Sequence, residues 1–149
     1  MSVHPLVNDG AYKAVWSKDW APVIRDARAW GPNGASPGVC NKGGTKQGCY
    51  NTDEKVATEL QQLRNDLLAT NTPAEFRDAA ATLDQALMLE VDGLHQRDSA
   101  IAQNNDASFG QAVATLKSAN ALFTKAYQQF PDYDRPTPAP FGGPSGYSG

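Results

Sequence analysis

The chain has 149 residues, the size of one ordinary domain. Its 16 acidic and 13 basic side chains give a formal net charge of -3, the wrong balance for a protein that holds nucleic acid by its phosphates. No apolar run approaches the roughly 20 residues that span a membrane. With 40% hydrophobic residues the chain can bury a core, which excludes wholesale disorder.

Residues 1–10, MSVHPLVNDG, are punctuated by Pro5 and Gly10 and lack the basic-then-apolar pattern of a signal peptide. They read as a flexible segment, so export is expected by another route or as a mature form with a start methionine. The first helix is predicted over about 11–30, where Tyr12, Val15, Trp16, Trp20, Val23, Ala27 and Trp30 share one broad face. Pro22 has no N–H for the helical bond, which predicts a kink or a fresh start capped by Ser17 or Asp19.

From Gly31 to Tyr50 no helical or strand pattern is visible, and so long a loop inside a compact domain is uncommon. It carries the only two cysteines, Cys40 and Cys49, with Gly43, Gly44 and Gly48 between them. The glycines let the chain fold back and bring the two Cβ atoms to bonding distance. A disulfide closing this ring would stabilise the fold by about 2.5–3 kcal/mol in the chain-entropy treatment. It would also imply an oxidising compartment, extracellular or in the cell envelope. Two reduced thiols remain open for a cytosolic chain. Metal or redox use has less support, because zinc wants four close ligands, a redox pair wants Cys-x-x-Cys, and His4 and His95 are remote. Gly38-x-x-x-x-Gly43 is followed by Gly44-Thr45 where a phosphate loop needs Lys then Ser/Thr, and no strand precedes it, so that reading is rejected. Lys42 and Lys46 instead make a solvated positive tip.

The second helix is predicted over about 53–70, opened by an Asn51/Glu54 capping box and striped by Val56, Leu60, Leu63 and Leu67. The third is predicted over 73–103. Thr72, Pro73 and Glu75 supply its start signal, and Phe76, Ala80, Leu83, Leu87, Val91, Leu94 and Ile101 its stripe. The fourth, about 107–130, is capped by Asp106, striped by Phe109, Val113, Leu116, Phe123, Tyr127 and Phe130, and ended by Pro131. Short connections between helices force antiparallel neighbours. The expected fold is therefore all-α: an antiparallel up-down four-helix bundle over 11–131, with a long disulfide-closed loop between helices 1 and 2. Residues 132–149 read as a Pro/Gly-rich disordered tail. With the preceding Pro131 they hold five prolines and four glycines.

The residues carry little legible chemistry. Asp92-x-x-His95 is the nearest approach to a di-metal helix motif, and it lies off the apolar stripe. Met88 and His95 share a side, yet no haem-attachment motif accompanies them. A nucleophile triad finds one histidine in the folded region. No metal, cofactor or catalytic set is expected, and the chain is read as a non-enzyme. Four polar residues intrude on or flank apolar stripes, Glu90, Arg97, Asp98 and Asn120, and form a candidate buried polar network.

Cys49-Tyr50-Asn51-Thr52-Asp53, Leu94-x-x-Arg97-Asp98-x-Ala100-Ile101-Ala102 and Ala126-Tyr127-x-x-Phe130-Pro131 resemble a loose group of exported or lipid-anchored helical-bundle domains of high-GC Gram-positive bacteria. The resemblance covers roughly residues 40–131 and implies a helical bundle outside the cytoplasm. The group has no assigned activity, so no functional residue carries over. The leading expectation is an exported interaction or structural module that presents the 31–50 loop to a protein partner through Trp30, Lys42, Lys46 and Tyr50. A carrier with an apolar pocket between helices, near Trp16, Trp20, Phe76, Phe109 and Phe123, is a second reading. A structural protein of a phage particle or surface filament is a third.

Overall fold

The structure, a computed structural model, describes residues 6–31 and 38–137. The expectations for residues 1–5, for 32–37 of the cysteine loop and for 138–149 of the tail lie outside the described residues. Four helices follow in order: α1 Leu6–Ala27, α2 Lys46–Leu68, α3 Arg77–Ala102 and α4 Asp106–Gln129. A 3-10 turn, Arg28–Trp30, extends α1, and a second, Ala74–Phe76, leads into α3. No strand occurs among the described residues. Side-chain pairs fix the directions. Arg25 reaches Glu59 while Trp30 reaches Asp53, so α1 and α2 are antiparallel. Arg64 pairs with Asp84 and Glu54 with His95, so α2 and α3 are too. The architecture is the antiparallel four-helix bundle expected, with the disulfide in the α1–α2 connection.

Helix ends differ from the sequence expectation in instructive ways. α1 begins at Leu6, so residues 6–10 belong to the helix rather than to a flexible lead. Gly10 has open space around it, and one glycine in an exposed turn costs only about 1 kcal/mol. The helix also runs unbroken through Pro22, with Trp20 and Val23 on either side locked in the core. Neither expected cap forms: Ser17 Oγ donates to the Thr137 carbonyl instead, and Asp19 faces Asp66.

α2 begins at Lys46, not 53. Thr45 is the cap, its hydroxyl accepting from the Gly48 N–H at 3.0 Å. Asn51 and Glu54 therefore sit inside the helix and cap nothing, Asn51 pairing with Gln47 and Glu54 with His95. At α3 no Thr72/Glu75 box forms, because the chain enters through the 3-10 turn and Glu75 accepts from the Tyr133 hydroxyl. α4 is capped by Asn105, one residue before the expected Asp106. Asn104 makes the preceding turn at φ 52, a left-handed conformation that asparagine tolerates.

The core follows the apolar stripes. Trp16 stacks on Trp20 with centroids 4.6 Å apart, and Trp20 meets Phe123 at 5.9 Å. Phe76 packs edge-on against Phe130 at 5.0 Å and Tyr12 at 5.6 Å. α3 and α4 pack tightly at Gly93, where a Cβ would lie 2.7 Å from Leu116 Cδ2. Residues 132–137, expected to be disordered, pack back on the bundle. Lys13 pairs with Asp134, the Arg135 guanidinium lies 4.8 Å from the Tyr127 ring centroid, and Pro136 is buried. Here Pro136 supplies packing surface and fixed direction rather than freedom.

Gly93→Val is expected to lower unfolding stability by about 1–3 kcal/mol through overpacking against Leu116. Gly110→Ala, in α4 with nothing nearby, should instead stabilise by about 0.5–1 kcal/mol through helix propensity. Urea denaturation of both variants distinguishes close approach from general intolerance of glycine replacement.

Candidate functional site

One turn of helix separates Cys49 from Asp53, so both point from the same face of α2. Cys40 and Cys49 form the expected disulfide, with Cα atoms 4.7 Å apart. Directly beneath it Asp53 is fully buried. Its carboxylate accepts from Trp30 Nε1 at 2.9 Å and from Arg97 at 2.9 Å (Nε) and 2.7 Å (Nη2). The two cystine sulfurs touch its oxygens at 3.7 Å. Arg97 is itself buried, its guanidinium 5.5 Å from the Trp30 ring centroid and 5.9 Å from that of Phe109. This two-pronged pairing, with the remaining space filled by rings and sulfur, is the geometry in which a buried ion pair recovers its desolvation cost.

Trp30 is therefore not a partner-contact residue. It is 0% exposed, and its indole N–H is committed to Asp53. Lys42 and Lys46 are exposed as expected. Tyr50 is exposed too, but on α2 and away from the cleft described below.

The four-residue polar network is regrouped. Arg97 and Asp98 belong to the cluster, and its centre, Asp53, was not singled out from the sequence. The signal existed: Asp53 stands three residues before Val56 and extends the stripe through Leu60, Leu63 and Leu67. Glu90 is completely buried two turns before Arg97, hydrogen-bonds nothing, and burial pushes its carboxyl up to about 8. Arg97 opposes that rise and Asp53 adds to it. Burial also pushes Asp98 up to about 10, helped by the facing carboxyls of Glu54 and Asp53. Glu54 is held below its ordinary value, first by Asp98 and then by His95, whose Nδ1 lies 3.2 Å from Glu54 Oε2. Asn120 does not join: its buried carbonyl oxygen bonds none of these groups.

Two further carboxyl pairs join α1 to α2. Burial and then Asp66 raise Asp19 to about 6, while Asp66 is lowered. Burial and then Asp26 raise Glu59 to about 7, while the Arg25 guanidinium beside Asp26 holds that carboxyl well below the usual range.

Above the disulfide lies a cleft of about 260 Å³ between the loop and the α3–α4 turn. Val39, the disulfide, Ala100, Ile101 and Phe109 give it an apolar wall, and Lys42 and Lys46 stand on its rim. Lys46 Nζ donates to Asn104 Oδ1 at 2.5 Å, and among the described residues neither lysine forms an ion pair. Between the helices the aromatics interdigitate. A second cavity, of about 30 Å³ beside Tyr12 and Leu67, has room for about one water. Of the five aromatics proposed to flank an interhelical pocket, Phe109 alone lines the cleft; Trp16, Trp20, Phe76 and Phe123 are fully buried or nearly so.

Two groups of side chains have metal-ligand chemistry. Cys40, Cys49 and Asp53 converge, but sulfurs joined in a disulfide are not thiolate ligands. Glu54, His95 and Asp98 converge across α2 and α3. No protein-family model matches the chain, and no curated protein or solved structure matches it.

Arg97→Ala strands a buried Asp53 and is expected to cost about 3–5 kcal/mol, whereas the double variant Asp53→Leu/Arg97→Met should lose much less. Urea titration of the three proteins measures the difference. Asp19, Glu59, Glu90 and Asp98 hold protons more tightly folded than unfolded, so the folded state binds more protons and stability falls as pH rises from about 4. Asp26, Glu54 and Asp66 act oppositely, their contribution being lost as pH falls below about 4. Maximum stability is thus expected in mild acid. Glu90→Gln should flatten the decline between pH 4.5 and about 8, and an unchanged slope would show that Glu90 does not titrate there.

Proposed function

We propose that this protein is a non-enzymatic recognition module, and that its contact surface is the disulfide-closed loop with the cleft beneath it. The observation that carries the reading is the cleft: an apolar wall rimmed by Lys42 and Lys46, which form no ion pair among the described residues, with Asp106 as the one acidic side chain in its lining. On a chain of net charge -3 these lysines form a local exception, suited to an acidic contact. The favoured occupant is a partner segment that presents an apolar side chain next to a carboxylate. The partner is held at the loop and at the α3–α4 turn together, two walls tied by the Lys46–Asn104 hydrogen bond and, below them, by the Asp53–Arg97 pair.

The absence of a catalytic role is supported by where the proton-holding groups lie. Glu90 and Asp98 are buried and do not line the cleft. Work in an oxidising place, outside the cell or in its envelope, is supported by the disulfide and by the resemblance to exported helical-bundle domains. Among the described residues no helix is long and apolar enough to cross a membrane. The apolar wall also favours a second reading, a carrier of a small apolar molecule seated in this cleft rather than between helices.

Short peptides bearing phenylalanine or leucine flanked by glutamate, titrated into isotopically labelled protein, test the assignment. Amide shifts are expected at 38–49 and 100–109, weakening with salt and disappearing in Lys42→Glu/Lys46→Glu. Binding of the apolar residue alone, indifferent to salt and to the lysines, would favour the carrier. Shifts confined to other faces would defeat both.

A further inference from the structure

Asp98 is the outstanding polar anomaly of the α2–α3 seam. The residue is 4% exposed, and both of its carboxylate oxygens are buried without an N–H or O–H donor. The guanidinium next to it in sequence, Arg97, is occupied by Asp53. Such a group normally has its partners built in, because an unsatisfied buried carboxylate is costly. Its nearest company is instead Glu54, a second carboxylate, and His95, an imidazole. We propose that Glu54, His95 and Asp98 bind one divalent transition-metal ion, with zinc the best match to the donor set.

The geometry fits. One donor atom from each residue can be chosen so that all three lie within 4.8 Å of one another. Glu54 Oε2 and His95 Nδ1 are already 3.2 Å apart. Two ligands about 2.0–2.1 Å from a tetrahedral zinc are separated by about 3.3 Å, so this edge of the tetrahedron is preformed. Only small side-chain rotations are needed to close the third vertex. Glu54 and His95 can make them, with side chains 42% and 48% exposed, while the buried Asp98 stays fixed.

The chain builds the site simply. His95 and Asp98 are three residues apart on α3 and share a face, and Glu54 comes from the antiparallel α2. An imidazole with two carboxylates suits zinc and its neighbours in the transition series better than calcium or magnesium, which prefer all-oxygen shells. The ion would displace the proton shared between the facing carboxyls of Glu54 and Asp98, releasing it to solvent, and tie α2 to α3. Behind it, the Asp53–Arg97 pair holds the helix positions from which the ligands project. Three protein ligands leave a fourth position to water on the open side, the arrangement of a zinc site accessible to a further ligand. This site is separate from the loop cleft, whose walls do not include Glu54, His95 or Asp98, and does not depend on the function proposed for it.

The test uses the full oxidised chain, stripped of metal and titrated with zinc chloride by calorimetry in a non-coordinating buffer near pH 7.5. One equivalent is expected to bind. His95→Ala, at an exposed position that keeps the fold, and Asp98→Asn should each weaken binding at least about tenfold. His4→Ala should leave it unchanged. Zinc should also shift the His95 ring resonances in the wild-type protein. Failure of the wild-type chain to bind zinc at millimolar concentration would overturn the proposal. So would a His95→Ala or Asp98→Asn protein that binds as tightly as wild type.

Discussion

A single buried carboxylate, that of Asp53, dictates how the loop end of the bundle is assembled. A charge taken out of water costs several kcal/mol unless its partners arrive with good geometry. Those partners come from separated parts of the chain, Trp30 from the turn after α1 and Arg97 from late α3, while the cystine, which has no hydrogen to donate, packs against the carboxylate from the loop and the first turn of α2. Loss of either donor would cost Asp53 a hydrogen bond, and loss of Arg97 would leave its charge unpaired. The described part of the α1–α2 connection, residues 38–45, is therefore held at the bundle end, although its sequence is rich in glycine and lacks any apolar period.

The cleft follows from that constraint. Its floor is the disulfide held against Asp53, and its far wall includes Phe109, held near the Arg97 guanidinium. A loop tethered only by its ends could fill such a space. This one is also held from below, because Val39 N–H donates to the Ala29 carbonyl and Asn41 reaches the Trp30 carbonyl. The rigid parts of the site are thus residues that an interaction partner would never touch. Trp30, one of the four residues expected to contact a partner, belongs to this support.

The bundle itself was legible, because periods of three and four in apolar side chains map directly onto buried faces. Tyr12, Trp16, Trp20, Leu60, Leu63, Leu83, Leu94 and Phe123 all sit where their stripes put them. Helix starts were less legible, since several competent caps stand close together and tertiary contacts choose among them. Thr45 caps α2 rather than Asn51, and Cys49, joined to Cys40, lies in the first turns of the helix. Residues 132–137 looked unstructured from composition alone, which does not reveal that Lys13, Ser17 and Tyr127 receive them. The polar site was half legible. Arg97 and Asp98 stood out as intruders, but Glu54 lies on another helix and joins them only through packing. The sequence sets His95 three residues after Asp92 and three before Asp98, and on α3 it is Asp98 that converges with it and with Glu54.

The placement of charge along α2 gives these observations a common basis. On one flank Asp66 and Glu59 meet Asp19 and Asp26 of α1, and on the other Glu54 meets Asp98 of α3. Facing carboxyls in a seam need a shared proton or a cation between them. At the Asp26–Glu59 pair the cations are built in, with Arg25 and Lys55 both within ion-pair distance. At the Asp19–Asp66 pair Lys18 tempers the charge from outside. Among the described residues the Glu54–Asp98 pair has neither arginine nor lysine, since Arg97 is held by Asp53 and the half-exposed imidazole of His95 stands beside it. A basic side chain there would have completed an ordinary salt-bridged seam. The imidazole leaves the same negative pair able to exchange its proton for an ion that the three side chains can grip together.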